Sequence, residues 1–173
     1  MAVADFTVTF PEGWTVQYGH VFNKHPDTNE ELGFYAVVVD EIYADACDGD
    51  TGELLDAGSS VDDLAAALLQ QPGPMATGPT ETMFGGFPTS RVDLTIPDGF
   101  DLEACSFGSY GLQIWYSPPA DKYFVLPADG IASVYIVDVD GQRQVFLAGH
   151  GFATSDEYVA ELQAVLDSIR IEP

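Results

Sequence analysis

The densest set of potential ligand atoms in this chain is an acidic loop, in which Asp45, Asp48, Asp50, Glu53 and Asp56 stand among glycines. Calcium takes about six to eight oxygens, and clustered carboxylates in a Gly-rich loop supply that chemistry. Asp48-x-Asp50-x-Gly52 begins like an EF-hand loop. Gly52 then occupies the third acidic position, and no glutamate follows at the closing distance. A calcium set of Asp45, Asp48, Asp50 and Glu53 therefore competes with a plainer reading, a solvated Asp/Gly loop. A second acidic patch, Asp98, Asp101 and Glu103, lies next to Cys105. A bond between Cys47 and Cys105 would draw the two patches together, as a place for a divalent ion or a basic partner.

The remaining reactive groups are few. His20 and His25 flank a short extended stretch, where a spacing of five puts them on opposite faces unless Pro26 marks a turn. His150 sits between two glycines and reads as a loop residue or a satisfied hydrogen-bonding group. Ser109 lies in Phe107-Gly108-Ser109-Tyr110-Gly111, which is not the strand-turn-helix context of a nucleophile elbow. No zincin helix motif, phosphate-binding loop or dinucleotide fingerprint occurs. Two carboxylates can serve acid–base hydrolysis, but with 28 acidic residues that observation selects none. The reading is that the chain is not an enzyme. Aromatic residues offer a further lead. Tyr110, Trp115, Tyr116, Tyr123 and Phe124 cluster across Pro118-Pro119, either as a pocket or recognition patch or as ordinary core.

Charge narrows the class of partner. The 28 acidic residues face 5 Lys plus Arg, a net charge of -23. A nucleic-acid backbone and an anionic membrane surface both repel such a protein. High charge also keeps an exported protein soluble, and it suits a salty environment. No run approaches the ~20 apolar residues of a membrane helix. The start, Met1-Ala2-Val3-Ala4-Asp5, carries neither a basic nor an apolar leader region. It reads as the start of a mature exported domain, with a cytosolic chain as the alternative. Cys47 and Cys105 are the two cysteines. In an exported domain, two cysteines so far apart suggest one disulfide, and buried free thiols are the alternative.

The elements that must position these residues follow from periodicity. Thr7 to Phe10, Val16 to Phe22, Gly33 to Tyr43, Thr80 to Phe84, Thr89 to Ile96 and Gly111 to Tyr116 read as strands. Gly33 to Tyr43 opens with a continuous apolar run, Phe34 to Val39, as expected of a strand covered on both faces. Ile131 to Val139 and Gln144 to Gly149 form a hairpin about Asp140-Gly141. Ser60 caps a helix with Val61, Leu64 and Leu68 on one face, ending near Gln70 before Pro72-Gly73-Pro74. Thr154-Ser155-Asp156-Glu157 is a capping box for a last helix striped by Val159, Leu162, Val165, Leu166 and Ile169. No repeat or linker divides residues 1–173, so one α+β domain is expected, an antiparallel sheet flanked by two helices.

Several motifs share a pattern with a known family. Phe10-Pro11-x-Gly13-Trp14, Gly33 leading a long strand, Gly85-Gly86-Phe87-Pro88 leading another, the late hairpin and the ending Leu166-Asp167-Ser168-Ile169-Arg170 together resemble the PsbP-like superfamily. They also look like actinobacterial exported domains of unassigned function. The resemblance spans most of the chain through short structural motifs. It implies an α/β/α sandwich and a binding or sensing accessory role, with no catalytic set to transfer. Cysteines that recur in those exported domains match Cys47 and Cys105. No lipobox cysteine stands at the start, so no lipid anchor is expected within this chain.

The sequence thus points to an extracellular or cell-surface binding domain without catalysis, recognising a protein partner. A calcium-dependent or small-molecule-binding module is the alternative, and a hydrolase the third reading. No cofactor is expected beyond that calcium.

Overall fold

A computed structural model of the chain describes residues 3–17, 20–26, 28–49, 52–117 and 122–172. In chain order the strands and helices are β1 (Phe6–Thr7), β2 (Thr15–Gln17), β3 (Val21–Lys24), β4 (Leu32–Val37), β5 (Glu41–Tyr43), β6 (Leu54–Asp56), α1 (Val61–Gln70), β7 (Met75–Phe84), β8 (Phe87–Thr95), β9 (Gly111–Ser117), β10 (Lys122–Pro127), β11 (Gly130–Val139), β12 (Gln142–Gly151), α2 (Asp156–Ser168) and β13 (Arg170–Ile171). A seven-stranded antiparallel sheet runs β2-β3-β4-β12-β11-β8-β7. A four-stranded sheet, β10-β9-β5-β6, lies apart from it, and β1 pairs with β13. The fold is α+β.

The long hairpin forms where the sequence places it. Asp140 and Gly141 both take positive φ, 52° and 80°, the geometry of a tight turn whose twist matches the strands. The Asp138 carboxylate accepts from the Gly141 N–H and holds the turn. Alternation along β11 then sends Val134 and Ile136 to one face and Tyr135 and Val137 to the other.

Each helix covers one of these faces. α1 has the reciprocal capping box of Ser60 and Asp63 and packs on β7, β8 and β11 through Leu64, Ala65 and Leu68. α2 lies across the opposite face through Leu162 and Leu166. Its cap is Ser155, one residue later than the capping-box spacing suggests: the Ser155 hydroxyl accepts from the Tyr158 N–H, and Thr154 is buried instead. On this side the Glu161 carboxylate holds the Lys24 ammonium at 2.7 Å and accepts from the Trp14 indole at 2.7 Å. Partial burial pushes this carboxyl up. The Lys24 and Trp14 hydrogen bonds, with the positive field of Lys24, outweigh it and hold the group below the usual glutamate range.

The run Gly33 to Tyr43 is not one strand. It leaves the large sheet after Val37 and re-enters as β5 of the small one. Apolar residues stand on both sides of Asp40-Glu41 because both sheets line one core: Val39 and Ile42 are buried with Leu94, Leu147 and Trp115. Val16 to Phe22 likewise divides into two paired strands, with residues 18–19 outside the described residues. Thr7 to Phe10 pairs only at Phe6–Thr7. Part of the acidic loop, Leu54–Asp56, is the edge strand β6.

Two buried polar side chains and a disulfide join the small sheet and α1 to the rest. The Gln71 side-chain amide donates to Tyr43 O at 2.8 Å and Ile114 O at 2.7 Å, stitching β5 to β9 just past the end of α1. The Arg143 guanidinium donates to Val39 O, Ala57 O and Ser60 O, fixing the entry to α1. The Cys47–Cys105 disulfide clamps the loop after β5 to the segment before β9, across a separation of 58 residues.

Candidate functional site

Antiparallel pairing sets three small residues side by side. Gly33 of β4 pairs with Gly149 of β12, and Gly149 pairs with Ala132 of β11. One row further along the same face stand Tyr35, Leu147 and Val134. Side chains on facing sheets normally fill a gap of about 10 Å. The sheet therefore fills the gap at the Tyr35–Leu147–Val134 row and loses its side-chain volume at the next. The result is a pocket of about 350 Å³ between the large sheet and β10, within the usual size range for small ligands.

Its floor is the Gly33–Gly149–Ala132 row, and its walls include Tyr35, Leu147, Phe124 and Val125. Gly33 needs to be glycine because the Tyr35 ring folds over it: a Cβ would lie 2.6 Å from the phenol oxygen. Gly149 is different. A Cβ there would meet only Ile131 O, at 3.4 Å, and would project into the pocket. Phe124 is fixed by a tilted contact with the buried Trp115, their centroids 4.6 Å apart.

Two carboxylates stand at the edge. Glu31, the residue before β4, lines the pocket, with its N–H donating to Thr28 O. Burial first, and the Glu31 charge second, push the Tyr35 phenol up to about 12. Asp129, in the turn between β10 and β11, lies over Gly151, with Oδ2 3.6 Å from where a Cβ would be. Exposed aromatics flank the pocket. Tyr123 lines the pocket and meets Phe107 edge-on at 5.6 Å, and Phe107 meets Tyr110, which is 78 % exposed. Phe152, also exposed, donates its N–H to Asp129 O.

The structure distributes the sequence candidates unevenly. Tyr110 and Tyr123 are exposed near each other, as a recognition patch requires, and Tyr116 is half-buried on β9. Trp115 is only 1 % exposed and belongs to the core, so it is removed from the patch: its flat face packs on Phe124 beneath the surface. Cys47 and Cys105 are bonded, and Ser106 N–H donates to Cys47 O, which brings the two acidic segments together. Asp45, Asp48 and Glu53 are exposed, and one Asp45 oxygen accepts from the Cys47 N–H. Asp50 lies outside the described residues. Among the described residues, no three His, Cys, Asp or Glu side chains converge as a metal set.

His25 takes φ 53° and packs on the Tyr158 ring at 4.8 Å. Ser109 sits in an exposed 3₁₀ turn, Gly108–Tyr110. His150 belongs to β12 rather than to a loop, with Nδ1 3.0 Å from Gly151 O. What sequence reasoning missed is the glycine row. Glycines inside strand patterns were its available signal, but their adjacency depends on pairing between segments more than a hundred residues apart in the chain.

No family model matches the chain, and no curated protein matches it. Among solved structures the chain is similar to LpqN, described as involved in cell envelope biogenesis of Mycobacterium tuberculosis. The TM-score is 0.49 and the identity 12 %, over 97 % of this chain and 83 % of that one.

Proposed function

We propose that this chain is a non-catalytic binding domain of the extracellular or cell-surface space, and that its site is the pocket between the two sheets. One observation carries the reading. Gly149 offers no side chain where the neighbouring row supplies Tyr35, Leu147 and Val134, and the space is walled mainly by apolar groups. Burying apolar walls that the pocket leaves open to solvent is favourable. A ligand that fills it recovers the contacts. The Cys47–Cys105 bond supports an oxidising compartment. The PsbP-like resemblance rests on the sequence motifs and agrees with an accessory role.

The test is thermal unfolding with a panel of small aromatic and aliphatic compounds, and with calcium and magnesium, at matched ionic strength. A native-state ligand raises the midpoint by mass action. The proposal expects organic compounds to raise the midpoint of the native protein and to lose that effect in Gly149→Leu, which fills the pocket. A shift from calcium alone would move the site to the acidic loop. A second reading, recognition of a protein partner, is favoured by the exposed cluster of Tyr110, Phe107 and Tyr123. Substituting Tyr110 would weaken partner binding without changing the response to small compounds.

A further inference from the structure

We infer that the exposed ring cluster of Phe107, Tyr110 and Tyr123 is the docking surface for an arginine-bearing segment of a protein partner, whose guanidinium groups stack on the tyrosines and pair with Asp101 and Glu103. The inference rests on the second reading above, recognition of a protein partner, and is independent of the pocket between the sheets.

The rings come first. Tyr110 is 78 % exposed and Tyr123 50 %. The half-buried Phe107 meets both edge-on, at 6.3 Å and 5.6 Å. Ring surface left in water gains by being covered, and tyrosine is among the residue types that dominate binding surfaces. The segment that carries Phe107 and Tyr110 is held in shape before any partner arrives. Cys105 is bonded to Cys47, Ser106 N–H donates to Cys47 O, and Gly108 N–H donates to Cys105 O. Gly111 N–H then closes the turn on Gly108 O. A surface already ordered loses little freedom on binding.

The charge beside the rings selects the partner. Asp98, Asp101 and Glu103 are exposed in the stretch that leads into Cys105, with Asp101 O 3.8 Å from the Cys105 sulfur. Of the five bases, Lys24 is held by Glu161, Arg91 by Asp93, and Arg143 and Arg170 by main-chain carbonyls, while Lys122 opens β10. Carboxylates and ring faces together favour arginine over lysine. The guanidinium is flat, so it stacks on a ring and still donates two parallel hydrogen bonds to a carboxylate. An ammonium is a compact, strongly hydrated charge. The net charge of -23 draws any basic chain toward the molecule. Rings beside the carboxylates turn that general attraction into a site.

Fluorescence anisotropy with labelled glycine–serine peptides tests this, with one spacing and three side chains: arginine, lysine, and citrulline, which has arginine's shape without its charge. The arginine peptide should bind about threefold tighter than the lysine peptide at low salt, with the citrulline peptide weakest. Tyr110→Ala with Tyr123→Ala should erase the preference for arginine over lysine. Asp101→Asn with Glu103→Gln should weaken both charged peptides by about fivefold. The control is Glu12→Gln with Glu172→Gln, which removes the same charge from segments that pack on the α2 side of the sheet. It should change binding by less than about twofold, since distant exposed charges are screened. All the substituted side chains are exposed, and unfolding midpoints confirm that the variants fold. If arginine and lysine peptides bind the native protein equally and the tyrosine variant weakens both, the arginine inference is overturned while the ring cluster stands as a partner site. If the tyrosine variant binds every peptide as the native protein does, or the control pair costs as much as Asp101 and Glu103, the attraction is diffuse and the inference falls together with that reading. Binding of no peptide at all also overturns the inference.

Discussion

The two faces of the seven-stranded sheet are built from the same strands and come out differently. Along β4, Leu32, Phe34 and Ala36 face α2, while Gly33, Tyr35 and Val37 face α1 and the small sheet. Along β12, Phe146 and Ala148 face α2, while Val145, Leu147 and Gly149 face the other way. The α2 face is closed by rings. Phe34 and Phe146 lie nearly parallel at 6.1 Å, Phe6 meets Phe146 edge-on at 5.4 Å, and Phe84 stacks on Tyr135 at 4.5 Å. The other face is aliphatic over most of its area and runs out of side chains at one end. One face has been filled for stability, and the other has volume withheld. Strand alternation lets a single sheet do both, since a glycine on one face leaves its phenylalanine neighbours on the other untouched.

The largest expected effect tests the filled face. Phe146→Ala removes a fully buried ring and should cost about 3–5 kcal/mol in denaturant unfolding. Next comes the clamp on the opposite side. Replacing Cys47 and Cys105 by alanine, or reducing them, should cost about 2–4 kcal/mol, through the greater freedom of the unfolded chain. A melting temperature unmoved by reducing agent would show that the small sheet needs no clamp. Smaller again is Glu161→Gln, at about 1–2 kcal/mol near neutral pH, by loss of charge-assisted hydrogen bonds to Lys24 and Trp14. The folded carboxyl lies below its unfolded value. Its stabilising contribution is therefore present above the unfolded glutamate pKa, about 4.3, and is lost as pH falls through the lower folded value. The glutamine variant should lack that acid-side loss.

Two effects sharpen the open face. Tyr35 is raised to about 12 in the folded protein from about 10 when unfolded. Its contribution is present in full below about pH 10 and declines as pH rises through the folded value. Tyr35→Phe should flatten that part of the alkaline unfolding profile, as read by circular dichroism. The smallest expected change in stability is Gly149→Leu, within about 1 kcal/mol of the native protein, because the new side chain enters space already open. The same change on the filled face, Ala148→Leu, should be clearly destabilising, since overpacking there costs about 1–3 kcal/mol. Equal costs for the two would abolish the distinction between the faces.

Much of the scaffold was legible in local sequence. Ser60 before Val61 with Leu64 and Leu68 on the same face gave the first helix, Asp140-Gly141 gave the hairpin, and the Leu162–Val165–Leu166 stripe gave the last helix. These signals act within a few residues of one another. What escaped was non-local. Val37-Val38-Val39 carries the strand pattern past the end of β4, because a shared core keeps Val39 and Ile42 apolar, and Asp40-Glu41 were the one local sign of the passage. β10, Tyr123 to Pro127 among its residues, was read only as part of an aromatic cluster. Trp115 and Tyr123 looked alike in sequence, yet the pleat buries one and exposes the other. The pocket was the least legible feature. Gly33, Ala132 and Gly149 become neighbours only once three strands are paired in register.

The central claim is that the volume left by that glycine row is a binding site. The most direct measurement is amide chemical-shift mapping with tryptophol, a neutral aromatic alcohol, on the native protein and on Gly149→Leu. The account predicts shifts that saturate at Gly33, Gly149, Gly151 and the β10 residues facing them, and no such shifts in the variant. Shifts confined to Phe107 and Tyr110, or shifts that persist unchanged in Gly149→Leu, would contradict it.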